Sequence, residues 1–321
     1  MLSLIPYSSE MADEWNALVA RSKNGTFLFD RLFMDYHADR FVDCSLVFRK
    51  GKKAVAVMPC NFVADEHCVY SHQGLTYGGL IMDRSVTTSD VMEAFELAFT
   101  YFRSLGAERL VYKPVPSFYT NYPAEEPLYA LYRHGGRLTA RGLSGAIVLD
   151  DRIPLRESRK SGLRKARQTG LTMEETTAES DVEAFWVILE KVLREKHNEQ
   201  PVHVPSEMML LMGRFPTRIR LFVARDRDNR ILAGTWIFDC GRTVHTQYMA
   251  ASEEGKASGA LDLLVASLIE RYAKEGKAVF DFGISTEDNG RWLNEGLTFQ
   301  KEGFGARGVC YETWEVALNE N

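Results

Sequence analysis

The chain has few cysteines, and they follow no ligand or disulfide pattern. Five occur in 321 residues, an odd number without any CxxC spacing, at Cys44, Cys60, Cys68, Cys240 and Cys310. Scattered free thiols of this kind indicate a reducing compartment and argue against a zinc site or a disulfide framework. We therefore predict no bound metal.

The chain also lacks long apolar runs and an excess of positive charge. No apolar stretch reaches the roughly 18 residues of a membrane span, and residues 1–11 have neither the basic nor the apolar region of a secretory signal. The formal net charge of −5 argues against nucleic acid as the main partner. These features predict a soluble cytoplasmic protein, monomeric or homodimeric, with no membrane span.

What the chain does contain is the composition of a globular protein. Hydrophobic residues make up 45% and aromatic residues 11%, which is enough to form an ordinary core. A length of 321 residues favours two domains over one.

The stretch from Thr243 to Ser285 predicts a strand, a loop, a helix and a second strand. Alternation in the first strand places His245 and Tyr248 on opposite faces. Small and polar residues from 251 to 259 indicate a loop. Apolar residues at helical spacing then form one stripe: Leu261, Leu264, Val265, Leu268, Ile269 and Tyr272. A helix that begins after such a loop is suited to binding an anion.

The same order of elements occurs twice along the chain. A hairpin, a helix that ends at Gly106 and an apolar strand in the first half correspond to a hairpin, a helix that ends at Gly276 and an apolar strand in the second. We predict an α/β (α+β) protein of two domains, residues 1–150 and 151–321, each a mixed, mostly antiparallel sheet flanked by helices.

This order resembles the core of the GNAT (acyl-CoA N-acyltransferase) family. The family signature Gln/Arg-x-x-Gly-x-Gly/Ala is similar to Lys256-Ala257-Ser258-Gly259-Ala260-Leu261. The resemblance implies two tandem GNAT-like domains, acyl-CoA (acetyl-CoA) as co-substrate, and a donor site at Met249, Lys256, Ser258 and Gly259. The helix that ends at Gly106 follows Asp83–Thr88 instead of a glycine loop, so we expect the first domain to have lost its donor site and to form a wall of the acceptor cleft.

The second half also resembles the Fem family of peptidoglycan aminoacyltransferases. Segments 159–173, 279–283 and 299–305 are similar to that family's basic helix, "fDfG" stretch and "FKegFG" stretch, and 74–79 is similar to its glycine-tyrosine segment. Tandem GNAT acyltransferases grouped with polysaccharide-biosynthesis proteins are similar as well. The Fem resemblance implies aminoacyl-tRNA as donor and a cell-wall precursor as acceptor.

Two residues are candidates for proton transfer, each with a structural alternative. By the GNAT resemblance, Tyr248 would protonate the leaving thiolate; alternatively it is a packed aromatic residue. Asp281 lies among apolar residues of a short strand, where a carboxylate of raised pKa can act as base; alternatively it caps the next loop. His245 is interpreted as a core or surface histidine.

Five further residues are candidates for substrate binding. By the Fem resemblance, Lys301 would contact an acyl donor or an anionic acceptor; the alternative is a solvated lysine at a hairpin tip. Arg164 belongs to the basic run 159–167, which would bind a phosphate of a nucleotide-linked acceptor or of tRNA, or form a solvated helix face. His37, Arg40 and Tyr77 would line an acceptor cleft or hold the first domain together.

The leading hypothesis is an N-acyltransferase that moves an acyl group from acyl-CoA to an amine by direct attack. No serine or cysteine nucleophile is evident, so a covalent acyl-enzyme is not expected. The alternatives are a Fem-like aminoacyltransferase that uses aminoacyl-tRNA, and a binding scaffold without activity. The identity of the acceptor stays open.

Overall fold

The structure is a computed structural model that describes residues 1–197 and 199–318. It divides into two compact units. The first comprises Met1–Gly142, Glu287–Trp292 and the segment from Cys310 onward, and the second comprises Leu143–Thr286 and Leu293–Val309. Residues 143–150 belong to the second unit, and most of the last strand belongs to the first. The predicted domains, 1–150 and 151–321, are by contrast contiguous ranges. The predicted ranges stay a prediction.

The elements up to residue 148 are mostly short strands with four helices among the described residues. The strands are β1 (Ser3–Pro6), β2 (Val42–Asp43), β3 (Leu46–Lys50), β4 (Lys53–Met58), β5 (Asn61–Val63), β6 (Cys68–Tyr70), β7 (Ile81–Met82), β8 (Arg109–Tyr112) and β9 (Arg137–Val148). The helices are α1 (Ala12–Arg21), α2 (Arg31–Met34), α3 (Thr88–Ser104) and α4 (Glu126–Arg133).

The elements after residue 148 include longer strands. The strands are β10 (Thr172–Thr176), β11 (Ile219–Arg225), β12 (Ile231–Asp239), β13 (Thr243–Ala251), β14 (Val279–Ile284), β15 (Thr286–Glu287), β16 (Trp292–Leu293) and β17 (Arg307–Ala317). The helices are α5 (Glu157–Gln168), α6 (Glu179–His197), α7 (Pro205–Arg214), α8 (Glu253–Ser258), α9 (Ala260–Lys274) and α10 (Glu295–Gly303).

The first unit is built on two groups of strands around one core. β1, β3, β4 and β7 pair antiparallel in that order. In the other group, β6 pairs parallel to β8, and the pairs β2–β5, β5–β6 and β8–β17 are antiparallel. Helix α3 begins with a capping box of Thr87 and Asp90 and buries Phe95 and Phe102 in this core.

The second unit is a six-stranded sheet in the order β10-β11-β12-β13-β14-β9. Only β13 and β14 run parallel to each other within this order, and α9 connects them. The predicted apolar stripe of α9 is buried against the sheet; for example, Leu264 and Leu268 are fully buried. Gly276, at a φ of 75°, follows the end of α9 as predicted.

Two local predictions in the second unit are wrong. Residues 253–258, predicted as a loop, form helix α8, because Ser252 caps it and its hydroxyl accepts from the Gly255 N–H. Lys301, expected after a strand or at a hairpin tip, lies in α10, which Asn294 caps. The α/β fold class is confirmed.

Candidate active site

The parallel strands β13 and β14 stay paired over three residues only. Thr243 to His245 pair with Val279 to Asp281, and β13 then continues to Ala251 without that partner. Because pairing ends at His245 and Asp281, the two strands diverge from that level. Side chains at such a point can face a bound ligand while a rigid sheet holds their backbone.

A β-bulge in β13 changes which side chains share a face. Phe238 pairs with His245, and Trp236 pairs with Tyr248, so three residues of β12 span four of β13. Directly opposed residues of antiparallel strands point to the same face. His245 and Tyr248 therefore share a face, and the predicted opposite placement is wrong because the bulge shifts the alternation by one residue.

Asp281 holds His245 in one orientation. Its side chain is fully buried, and its Oδ2 lies 2.7 Å from His245 Nδ1. Ser144 Oγ donates to Asp281 Oδ1 at 2.5 Å, and the Gly283 N–H donates to the same oxygen at 3.2 Å. Because a carboxylate only accepts, His245 Nδ1 carries the proton and Nε2 is left as the acceptor. The unprotonated Nε2, on the half-buried imidazole, can therefore act as a base.

Gly283 lies beside His245 and accepts a hydrogen bond from a third polar residue, Lys301. Its φ of 77° favours glycine, and a Cβ there would lie 3.2 Å from His245 Cε1. Lys301 Nζ donates to the carbonyl oxygens of Gly283 and Ile284, at 2.7 and 2.8 Å. Burial lowers the pKa of Lys301 to about 8, although the charge of Asp281 acts in the opposite direction.

A small cavity of about 40 Å³ lies beside Lys301. Ser285 lines it and is 3% exposed, and its hydroxyl has no hydrogen-bond partner among the described residues. An ammonium group has three donors, of which the two carbonyls take two. Lys301 and Ser285, which both line the cavity, therefore each keep one donor that these hydrogen bonds do not use.

Tyr248 is held by a residue outside its strand. Its hydroxyl lies 2.7 Å from Nδ1 of His203, which is buried ahead of α7. Trp186 of α6 packs edge-on against the Tyr248 ring at 5.7 Å, and burial raises the pKa of Tyr248. The contact with His203 fixes the position of the hydroxyl, whichever of the two groups donates.

The predicted donor residues lie in and around α8. Lys256 forms an ion pair with Glu253, and Ser258 Oγ donates to the Gly255 carbonyl at 3.2 Å. A Cβ at Gly259 would overlap the carbonyl oxygen of Gly162 in α5. Met249 packs at the margin of the core. At the start of α8 the Gly255 N–H donates to Ser252 Oγ, so this amide is not available to a phosphate.

The basic run of α5 is largely neutralised by acidic neighbours. Arg159 pairs with Asp262 at 2.9 Å, and Arg164 pairs with Glu157 at 2.7 Å. Arg156 likewise pairs with Glu302. Arg164 is solvent-exposed, so it can still reach a ligand, but only in competition with its carboxylate partner.

In the first unit, two of the predicted acceptor residues are buried. His37 contacts the carbonyl oxygens of Met34 and Gly74 through its two ring nitrogens, at 2.7 and 3.3 Å. Tyr77 is 2% exposed, and its hydroxyl donates to Thr26 at 3.3 Å. Arg40 is exposed. These contacts favour the structural alternative for His37 and Tyr77, and their role in binding stays a prediction.

In the first unit, the segment that follows β6 continues to pair with the chain beyond the parallel strands β6 and β8. Beyond the β6–β8 pairing, the Ser71 N–H donates to Val111, and the Gly78 N–H donates to Lys113 at 2.7 Å. Segment 71–79 therefore fills the position where β13 and β14 diverge in the second unit. This geometry supports the prediction that the first half lacks a donor site.

The sequence interpretation overlooked three site residues. The sequence pattern indicates a core or surface histidine at His245, and it marks neither Ser144 nor Ser285 as a site residue. Ser144 and Asp281 are 137 positions apart, so no local pattern connects them. Among the described residues, no group of three or more His, Cys, Asp or Glu is arranged for a metal, and no helix is long and apolar enough to cross a membrane.

Comparisons with known proteins agree with the fold. Residues 155–290 match the acetyltransferase (GNAT) domain family, whereas no curated protein matches the chain. The crystal structure of FemX has a TM-score of 0.72 at 14% identity, over 99% of this chain and 98% of that one.

Two other solved structures have a similar fold. L-PGS from Bacillus licheniformis has a TM-score of 0.64 at 12% identity, over 98% of this chain and 93% of that one. A tandem GNAT protein from the clavulanic acid biosynthesis pathway has a TM-score of 0.55 at 12% identity, over the full length of both chains. At these identities the similarity shows the fold, which is that of a tandem GNAT protein.

Proposed function

We propose that this chain, whose residues 155–290 match the acetyltransferase (GNAT) domain family, acylates an amine directly, with His245 as the base. The observation that carries the proposal is the His245–Asp281 pair at the level where β13 and β14 diverge. Asp281 is fully buried, so it positions the imidazole, and His245 Nε2 is the atom that faces the amine. This replaces the predicted role of Asp281 as the base itself.

The proposed reaction needs no covalent enzyme intermediate. The amine nitrogen attacks the donor carbonyl carbon, a C–N bond forms, and His245 takes one proton from the nitrogen. The tetrahedral intermediate then collapses, the bond from carbon to the leaving sulfur or oxygen breaks, and the proton passes to that leaving atom. Lys301, whose ammonium is held 2.7 Å from the Gly283 carbonyl oxygen, supplies positive charge for the developing oxyanion.

Two donors fit this chemistry, an acyl-CoA thioester and an aminoacyl ester of tRNA. The region that would hold the pyrophosphate of coenzyme A is helical, and Glu253 and Glu254 occupy its first turn. Gly162 also covers Gly259 at the start of α9. The two carboxylates and the Gly162 carbonyl oxygen oppose a further anion here, against the attraction that a helix N-terminus has for one. Because these features weaken the predicted pyrophosphate site, we propose the aminoacyl ester, the Fem-like alternative, as the donor.

A thermal-shift titration separates the two donors. Acetyl-CoA, coenzyme A, a longer acyl-CoA and an aminoacylated tRNA mixture would be compared; a ligand at ~100 times its Kd stabilises a protein by ~2.7 kcal/mol. We expect a saturable shift with charged tRNA and little or none with the three coenzymes. A coenzyme shift that Lys256→Glu abolishes, and that Lys191→Glu on the exposed side of α6 leaves intact, would restore the acyl-CoA assignment.

The role of His245 is tested by acyl transfer to a panel of amines with whichever donor binds. His245→Gln should lower kcat by about 10²- to 10⁴-fold, the usual contribution of a general base, and leave donor affinity unchanged. Substitution of His67, which is exposed in the first unit, is the control. Full activity of His245→Gln would remove the histidine from the mechanism.

A further inference from the structure

The second unit has a large groove that the proposed reaction does not use. It has a volume of about 990 Å³ and is bounded by segment 152–155, by α5 and by the C-terminal half of α9. This volume lies at the upper end of the range for small-molecule sites, ~300–1,000 Å³. Neither β13 nor β14, which carry His245 and Asp281, contributes to its wall.

The floor of the groove is apolar. Ile269 and Phe304 form its base and are nearly fully buried, at 4% and 2% exposure. Leu155 and Leu163 pack against the core from the two sides and remain half-buried. Ile153 is 42% exposed at the edge. A solvent-open concave surface of this kind gains free energy when an aliphatic group covers it.

The rim of the groove carries an excess of positive charge. Arg152 pairs with Glu270 at 2.5 Å, and Arg271 pairs with Glu275 at 2.9 Å. These pairs cancel, whereas the side chains of Arg167 in α5 and Lys274 in α9 have no hydrogen-bond or ion-pair partner among the described residues.

The absence of partners for these two cations holds within residues 1–197 and 199–318. Arg167 and Lys274 lie on two different walls of one apolar groove, in a chain whose net charge is −5. The rim therefore attracts an anion even though the protein as a whole repels anions.

We propose that this groove binds a fatty-acid anion, with the aliphatic chain on the floor and the carboxylate between Arg167 and Lys274. The guanidinium fork of Arg167 matches a carboxylate in two hydrogen bonds, and Lys274 adds a point charge. A neutral lipid would satisfy the floor but leave both cations unpaired, and a free inorganic anion would satisfy the rim but leave the floor exposed. The site requires both parts in one molecule.

Displacement of cis-parinaric acid, a fluorescent fatty acid, tests the proposal on the full chain. We expect saturable binding, displacement by myristate, at least about tenfold weaker displacement by 1-tetradecanol, and none by inorganic phosphate. Arg167→Glu/Lys274→Glu should weaken binding by about tenfold or more, because two attractive contacts with the carboxylate become repulsive.

Lys165→Glu/Lys191→Glu is the matched control, because it makes the same change in net charge at exposed lysines outside the groove. Its affinity should equal that of the unmodified chain. Equal affinity for 1-tetradecanol and myristate, or unchanged binding in Arg167→Glu/Lys274→Glu, would overturn the proposal. If that variant unfolds by circular dichroism, Arg167→Gln/Lys274→Gln replaces it, and the same two results decide.

Discussion

At the scale of single residues, the candidate site depends on hydrogen-bond partners more than on residue type. Asp281 was recognisable from its position among Phe280, Phe282 and Gly283, but its burial changes its role. A fully buried carboxylate that accepts from Ser144 and His245 cannot reach a substrate. It can fix the tautomer of the imidazole, which is why we propose His245 as the residue that transfers the proton.

Asp281→Asn should lower turnover by about 10²-fold or more with little change in melting temperature. An asparagine amide would donate to His245 Nδ1 and so place the ring proton on Nε2, where it blocks the base. The measurement is kcat together with a thermal melt. Ser144→Ala, which removes one donor and keeps the His245–Asp281 contact, should have a smaller effect. Equal turnover in Asp281→Asn would return the residue to a structural role.

Lys301 should leave a pH signature in stability. Its pKa is about 8 in the folded chain, below its ordinary value of 10.5. Between these values the unfolded chain binds more protons than the folded one, so Lys301 makes the free energy of unfolding rise with pH across this window. Below the window its full destabilising effect is present.

The check is urea unfolding at a series of pH values between about 7 and 10. The free energy of unfolding of the unmodified chain relative to Lys301→Met should increase over this range. Lys256→Met, at an exposed lysine of α8, is the control variant measured over the same pH series. A flat difference for Lys301→Met would contradict the lowered pKa.

At the scale of elements, the prediction from sequence succeeded where one periodicity dominated. The stripe from Leu261 to Tyr272 predicted α9, and Gly276 predicted its end. The bulge in β13 was not predictable, because it depends on how β12 pairs with it. Helix α8 is not predicted, because Gly255 and Ser258 are typical of loops. Its C-terminal end also contacts Gly162 of α5, a helix far away in sequence, and local composition carries no information about that contact.

Gly259→Ala should destabilise the chain more than Gly276→Ala. Both glycines have a positive φ, 80° and 75°, so each substitution carries a strain of roughly 1–2 kcal/mol. Only at Gly259 would the new methyl group overlap another backbone, at Gly162, which adds about 1–3 kcal/mol. The free energy of unfolding of both variants is the measurement. Similar losses would mean that α5 can move away from α9.

At the scale of the whole molecule, the tandem arrangement was recognisable from sequence, but the exchange of the last strand was not. The repeated order of hairpin, helix and strand indicated two copies of one fold. Nothing in the residues around Cys310 indicates which copy β17 joins. Its partner is β8, where Trp314 pairs with Tyr112, a contact about 200 positions away in sequence that only the folded chain defines.

Deletion of residues 310–321 should unfold the first unit. The deletion removes the β8 partner strand together with Val316 and Leu318, which are buried in that core at 0% and 1% exposure. Loss of these contacts costs several kcal/mol. Circular dichroism and limited proteolysis would measure the unfolding of the first unit, with deletion of residues 319–321 as the control. Protection of segment 1–142 in the longer deletion would show that β17 is dispensable.

The placement of β17 also bears on how the protein is made. A ribosome synthesises the N-terminal unit first, yet that unit lacks its closing strand until the rest of the polypeptide has been translated. The later unit has all of its strands before the earlier one does. Nascent chains should therefore carry an incomplete N-terminal unit with an open β8 edge through most of translation, and chaperones that recognise unpaired strands would meet it there.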